Sequence, residues 1–200
     1  MVCSPRVVHP KHHAFARVPA TMTEPVAPIE SSRLDLISLA PELIELLLEE
    51  GPGPASDAGG FAIPADWPGA DEGFLKLRLG QMRKDPDWQQ WLVRAMVLRD
   101  QRKMIGHIGF HDPPREGGKL EMGYTVFPDF RQQGYATEAV LAMMGWATSV
   151  HGIRRFIASV SPTNEPSLAT VRKLGFVQTG VQWDEEDGEE LVFELETPLA

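Results

Sequence analysis

Arg131-Gln132-Gln133-Gly134-Tyr135-Ala136 stands where a strand-like run, KLEMGYTVF, and Pro128 give way to a helical pattern. The first turn of a helix presents unpaired N–H groups and a partial positive charge, which suits an anion. Gly134 lacks a Cβ, so a phosphate oxygen could approach those groups closely, and Arg131 adds a cation. The same glycine could instead ease a tight turn, with Arg131 on a solvated face; such a turn is a weak motif by itself. The common phosphate loops do not fit, since there is no GxxxxGK[ST] and no GxGxxG after the first strand. GxSxG, HExxH and CxxC are absent as well, which leaves a hydrolase or a metalloenzyme little support.

The elements around this turn must come from one domain of 200 residues, 42% hydrophobic and 24% charged. No apolar run approaches the ~20 residues that cross a bilayer, and the N-terminus carries no apolar signal core, so no membrane role is expected. A single cysteine, Cys3, excludes an internal disulfide framework, and the cytoplasm is the expected compartment. The formal charge of −9 argues against general nucleic-acid binding and suits a basic or amine-bearing partner, as well as simple solubility.

Residues 1–30, broken by five prolines, read as a flexible tail, and its HPKHH run reads as incidental rather than as a metal site. Residues 31–200 read as the folded domain. RLDLISLA (33–40) alternates like a strand, and Pro41 opens an apolar helix that stops before Gly51. GPGPASDAGG reads as loop, and 72–84 as a second helix. Three strands follow, WLVRAMVLRD, MIGHIGFHD and KLEMGYTVF, joined by short turns that suit antiparallel neighbours. A helix from Gly134 to Val150, the strand RRFIASVS, a helix capped by Asn164 and ending KLGF, and a final hairpin complete the order. This predicts an α/β fold, a mixed, mostly antiparallel sheet flanked by helices.

R-x-x-G-x-A after an antiparallel strand resembles the pyrophosphate-binding motif of the Gcn5-related N-acetyltransferase (GNAT) family. EMGYTVFPDFRQQGYATEA, followed by a helix, a strand and NEPSLATVRKLGF (164–176), is similar to the branch that acetylates ribosomal-protein N-termini. The resemblance runs from about Arg33 to the C-terminus. It implies an N-acetyltransferase using acetyl-CoA, with the donor in a V between two splayed central strands and no metal.

The resemblance also implies roles. Tyr124, Thr125 and Val126 would pair with the pantetheine arm and offer backbone N–H groups to the acetyl carbonyl. Arg131, Gln132, Gln133, Gly134, Tyr135 and Ala136 would cradle the pyrophosphate, and Asn164 would hold the arm from the other wall, beside its own reading as a helix cap. Much of the family protonates the leaving thiolate with a tyrosine at the position of Val171, so that role passes to Ser167, whose alternative is a hydroxyl bonding its own first turn. Glu121 is the candidate base, with His111 and Asp112 as rivals. Trp67, Asp66, Asp71 and Glu72, with the acidic run 184–187, would border the acceptor side. The implied acceptor is an amine-bearing small molecule or a basic peptide or protein N-terminus. Homodimers are common in this branch, although the sequence carries no interface signature. An acyl-CoA-binding regulatory module without turnover is the alternative, kept open by Val171.

Overall fold

The computed structural model of the protein describes residues 26–114, 118–185 and 188–197. The expectations for residues 1–25, including HPKHH, and for Glu186 and Asp187 concern residues outside these. The sheet starts earlier than Arg33: β1 (Ile29–Glu30) pairs with β2 (Leu34–Ser38) through Ile29 opposite Leu36. The two residues of β1 are too few for a period, but the alternation in β2 is plain, with Leu34, Leu36 and Ser38 buried.

Pro41 opens α1 (Pro41–Glu50), where its missing N–H costs nothing, and Gly51 closes it. The segment expected to be loop is instead a helix, α2 (Pro52–Gly59). Its only buried side chain is Ala55, so no apolar stripe announced it. Pro52 tolerates the first turn, Ser56 Oγ donates to the Pro52 carbonyl at 2.6 Å, and Gly60 takes the left-handed conformation that ends it. The third helix, α3 (Glu72–Lys84), buries Leu75, Leu79 and Met82.

Three strands then meander antiparallel: β3 (Arg94–Leu98), β4 (Lys103–Phe110) and β5 (Lys119–Val126). Every residue of β3 is buried, because helices cover both of its faces. Helix α4 (Tyr135–His151) crosses over to β6 (Arg155–Val160), which runs parallel to β5; α5 (Glu165–Lys173) leads to β7 (Val177–Asp184) and β8 (Gly188–Glu196). The chain inserts β8 between β6 and β7, so the eight-stranded order is β1-β2-β3-β4-β5-β6-β8-β7. All pairs are antiparallel except β5 with β6, as expected of the mixed sheet.

Two cores form on the two faces. Ala139, Val140 and Met143 of α4 and Leu168 and Val171 of α5 pack on Met96, Ile108, Leu120 and Phe156. Ile44 and Leu47 of α1, Ala55 of α2 and Leu75 of α3 pack on Ala95, Val97 and Met104. Arg94, fully buried, donates to the carbonyls of Ala27, Leu36 and Gln90, tying the chain before β1 to the sheet. Burial lowers its pKa to about 10, which still leaves it charged at neutral pH. Among the described residues, no helix is long and apolar enough to cross a membrane.

Candidate active site

The register of β5 with β6 covers only Lys119–Arg155, Leu120–Phe156 and Glu121–Ile157. Beyond Glu121 the two strands part. Residues alternate in the direction of their backbone groups: the His111 N–H donates to the Glu121 carbonyl and the Phe127 N–H to the Ile105 carbonyl, so odd-numbered β5 residues bond to β4. The N–H groups of Tyr124 and Val126 therefore point to the opened side, where no strand pairs with them.

A cavity of about 560 Å³ lies along that opening. Tyr124, Thr125, Val126, Arg131, Gln132, Gly134, Tyr135, Ala136, Asn164 and Ser167 all line it. Of the expected cofactor residues only Gln133 is missing from the wall. Its amide donates to the Asp129 carbonyl at 3.3 Å, and its own carbonyl accepts from Arg33 Nη1 at 3.1 Å. Phe130, Pro166 and Thr170 also line the cavity, positions the motifs did not single out.

Gly134 is the residue before the first turn of α4 and has φ 82°, ψ 3°. That left-handed conformation is what selects glycine here. A Cβ would meet only Arg33 Nη2, at 3.6 Å, so in this state the constraint is the backbone rather than space. The Arg131 guanidinium is held by its Nε donating to the Val126 carbonyl at 2.9 Å. Arg33 itself escaped the sequence reading. Its backbone N–H and Nε donate to the two oxygens of Glu138 at 2.7 and 2.6 Å, and its guanidinium stacks 4.3 Å from the Tyr135 ring centroid. Burial would raise the Glu138 pKa, but hydrogen bonds from the Arg33 backbone, the Ser31 hydroxyl and the Arg33 side chain together hold it below the ordinary value.

Asn164 Oδ1 accepts from the Ser167 N–H at 3.2 Å, so its capping reading holds, and its side-chain NH₂ remains as a donor. Ser167 is half-buried on the cavity wall. Val171, 2% exposed, faces the core. Tyr124 brings something the motif did not show: its hydroxyl is buried and has no hydrogen-bond partner among the described residues.

Glu121 lies on the opposite face of β5. Ser159 Oγ donates to its Oε1 at 2.5 Å and in turn accepts from Gln182 Nε2 at 3.1 Å. His111 Nδ1 is 3.8 Å from the same carboxylate oxygen, so the candidate base and its rival lie together. Gly123 makes room there, since a Cβ would stand 3.0 Å from His111 Nε2. Trp67 is buried and Asp71 partly so, and the two side chains meet. Asp71 Oδ2 lies 3.1 Å from His107 Nε2 and accepts from Trp67 Nε1 at 2.9 Å. The hydrogen bond from His107 lowers the Asp71 pKa against burial, which raises it; the Trp67 bond assists. Glu72 pairs with Lys76. Among the described residues, no group of three His, Cys, Asp or Glu side chains could hold a metal ion.

A family model, the acetyltransferase (GNAT) domain, matches residues 57–177, more than half of the chain. The protein belongs to the GNAT acetyltransferase family. This GNAT protein is 26% identical over 153 residues to the uncharacterized N-acetyltransferase YjdG of Bacillus subtilis (strain 168), covering 74% of this chain and 89% of that one. It is 41% identical over 95 residues to human alpha/beta-tubulin-N-acetyltransferase 9, a match spanning 46% of this chain and 45% of the relative. Its fold superimposes with a TM-score of 0.61 on a putative ribosomal-protein-serine acetyltransferase from Vibrio cholerae, at 18% identity, over 86% of this chain and 99% of that one. The GNAT chain is thus an acetyl-CoA-dependent acetyltransferase, as the resemblance of its sequence led one to expect.

Proposed function

We propose that the protein transfers the acetyl group of acetyl-CoA to a primary amine, that of a small molecule or of a peptide or protein N-terminus. The observation that carries this is the parting of β5 and β6 at Glu121 and Ile157, which opens one wall of the cavity and leaves Glu121 on the far face. Acetyl-CoA supplies an activated thioester. The residues present fit it: free N–H groups of Tyr124 and Val126 for the arm and acetyl carbonyl, the Gly134 turn for the pyrophosphate, and the Asn164 amide on the other wall.

In the reaction the amine nitrogen forms a bond to the acetyl carbon, the C–S bond breaks, the ammonium loses a proton and the thiolate gains one. In this reading Glu121 takes the first proton, supported by its hydrogen bond from Ser159 and its closeness to His111. Ser167 is the donor for the second. The unpartnered Tyr124 hydroxyl favours a second reading, in which the phenol rather than the serine donates.

The acceptor's own basicity favours an α-amine. A lysine-like amine of pKa ~10.4 is neutral about once in ~10³ molecules at pH 7, whereas an α-amine near pKa ~8 gives up only about one unit. Names of relatives that act on ribosomal protein and tubulin support a protein acceptor. The test is thiol release from acetyl-CoA against a panel of small amines and basic peptides, each peptide with a free and with a blocked N-terminus. Turnover that vanishes on blocking selects the N-terminus; turnover with small amines alone selects the small molecule. Saturable acetyl-CoA binding without turnover across the panel would instead leave a regulatory module.

A further inference from the structure

Gln133, the turn residue that does not line the cavity, shows what holds the turn in shape. Its carbonyl accepts from Arg33 Nη1, on a residue 100 positions away. In a trans peptide the carbonyl and the following N–H point in opposite directions. Pulling the Gln133 oxygen toward Arg33 therefore turns the Gly134 N–H away from Arg33. Gly134 lines the cavity and Arg33 does not.

Arg33 is itself anchored. Glu138, in the first turn of α4, takes its backbone N–H on Oε1 and its Nε on Oε2, and Ser31 Oγ donates to Oε1 at 2.8 Å. The tight turn between β1 and β2 is thereby clamped to the start of α4, with the guanidinium laid over Tyr135. The clamp also pairs a carboxylate that would otherwise stand uncompensated one turn from a bound phosphate.

We propose that Arg33 is a positioning residue for donor binding: anchored by Glu138, it fixes the Gln133–Gly134 peptide so that its N–H meets the pyrophosphate of CoA. This rests on the reading of the Gly134 turn as the phosphate site. It makes the β1–β2 turn, far from the motif in sequence, a determinant of affinity for the donor.

Arg33→Met keeps the side-chain length and removes the fork. In calorimetric titration with CoA it is expected to bind about tenfold more weakly than the wild type, the scale of one charge-assisted hydrogen bond. Arg33→Met/Glu138→Gln is expected to bind no more weakly than Arg33→Met, because Glu138 acts through Arg33. By NMR, the Gly134 amide proton moves downfield on CoA addition in the wild type and by less than half as much in Arg33→Met. Unchanged affinity in Arg33→Met overturns the proposal, as does weaker affinity with a wild-type Gly134 shift. Should Arg33→Met fail to fold, Arg33→Lys, which replaces the planar fork by a single ammonium, is expected to show the same smaller shift. Gly134→Glu is the control: wild-type CoA affinity in that variant removes the phosphate reading, whereas its loss alongside an unaffected Arg33→Met removes the clamp alone.

Discussion

Glu121 and Ile157 are the last residues that β5 and β6 hold in register, and Glu121 accepts a hydrogen bond from Ser159, two residues further along β6. One side chain thus spans the point where the sheet opens. The hydroxyl fixes the first carboxylate oxygen, and on the proposed mechanism the second takes the proton of the incoming amine. Glu121→Gln is expected to lower kcat by about 10², the usual scale of general base catalysis, with the KM for acetyl-CoA little changed. His111→Gln losing more than Glu121→Gln would transfer the role to the histidine. Steady-state kinetics on both variants decides it.

The thiolate's proton has two candidate sources on the cavity wall. Ser167→Ala is expected to lower kcat more than it weakens CoA binding, since the Ser167 N–H that caps on Asn164 survives the change. Tyr124→Phe with a larger fall in kcat than Ser167→Ala would assign the proton to the phenol. Calorimetry with CoA beside turnover separates chemistry from affinity in each.

Gly134→Ala tests the backbone by itself. A left-handed alanine costs about 1 kcal/mol, so a lowered Tm is expected although Arg33 Nη2 is the nearest atom to the new methyl group. Thermal unfolding without and with CoA reports both the strain and any loss of donor binding.

Acid stability should depend on the clamp. The folded-state pKa of Glu138 is depressed below its ordinary value of 4.5, so the unfolded chain binds the proton more readily. The clamp's contribution is therefore complete above about pH 4.5 and is lost as pH falls through the lower, folded value. Glu138→Gln is expected to flatten the fall of Tm below pH 4.5 relative to the wild type, with a lower Tm at neutral pH. Parallel Tm profiles in the two proteins would contradict this.

Much of this was legible in the residues themselves. Periodicity placed α1, α3, α4 and β2 to β6, and R-x-x-G-x-A with Asn164 and Ser167 converged on one cavity from two ends of the α4–β6 unit. Periodicity could not find α2, whose eight residues bury one alanine, or β1, with two residues. Nor does a hairpin reveal which of its strands joins the sheet; β8, rather than β7, lies beside β6. Arg33 and Glu138 stand 105 residues apart and meet only because β1 and β2 pack at the start of α4. The resemblance assigned Trp67 and Asp71 to the acceptor side, but no motif marked His107, 36 residues on, as the partner of Asp71.

The most direct test of the account is calorimetric titration of CoA into the wild-type protein and into Gly134→Glu. Saturable one-to-one binding by the wild type, abolished by a carboxylate at the turn, is the expected result. No heat with the wild type, or equal affinity in both proteins, would contradict the assignment of the opening between β5 and β6 as the donor site.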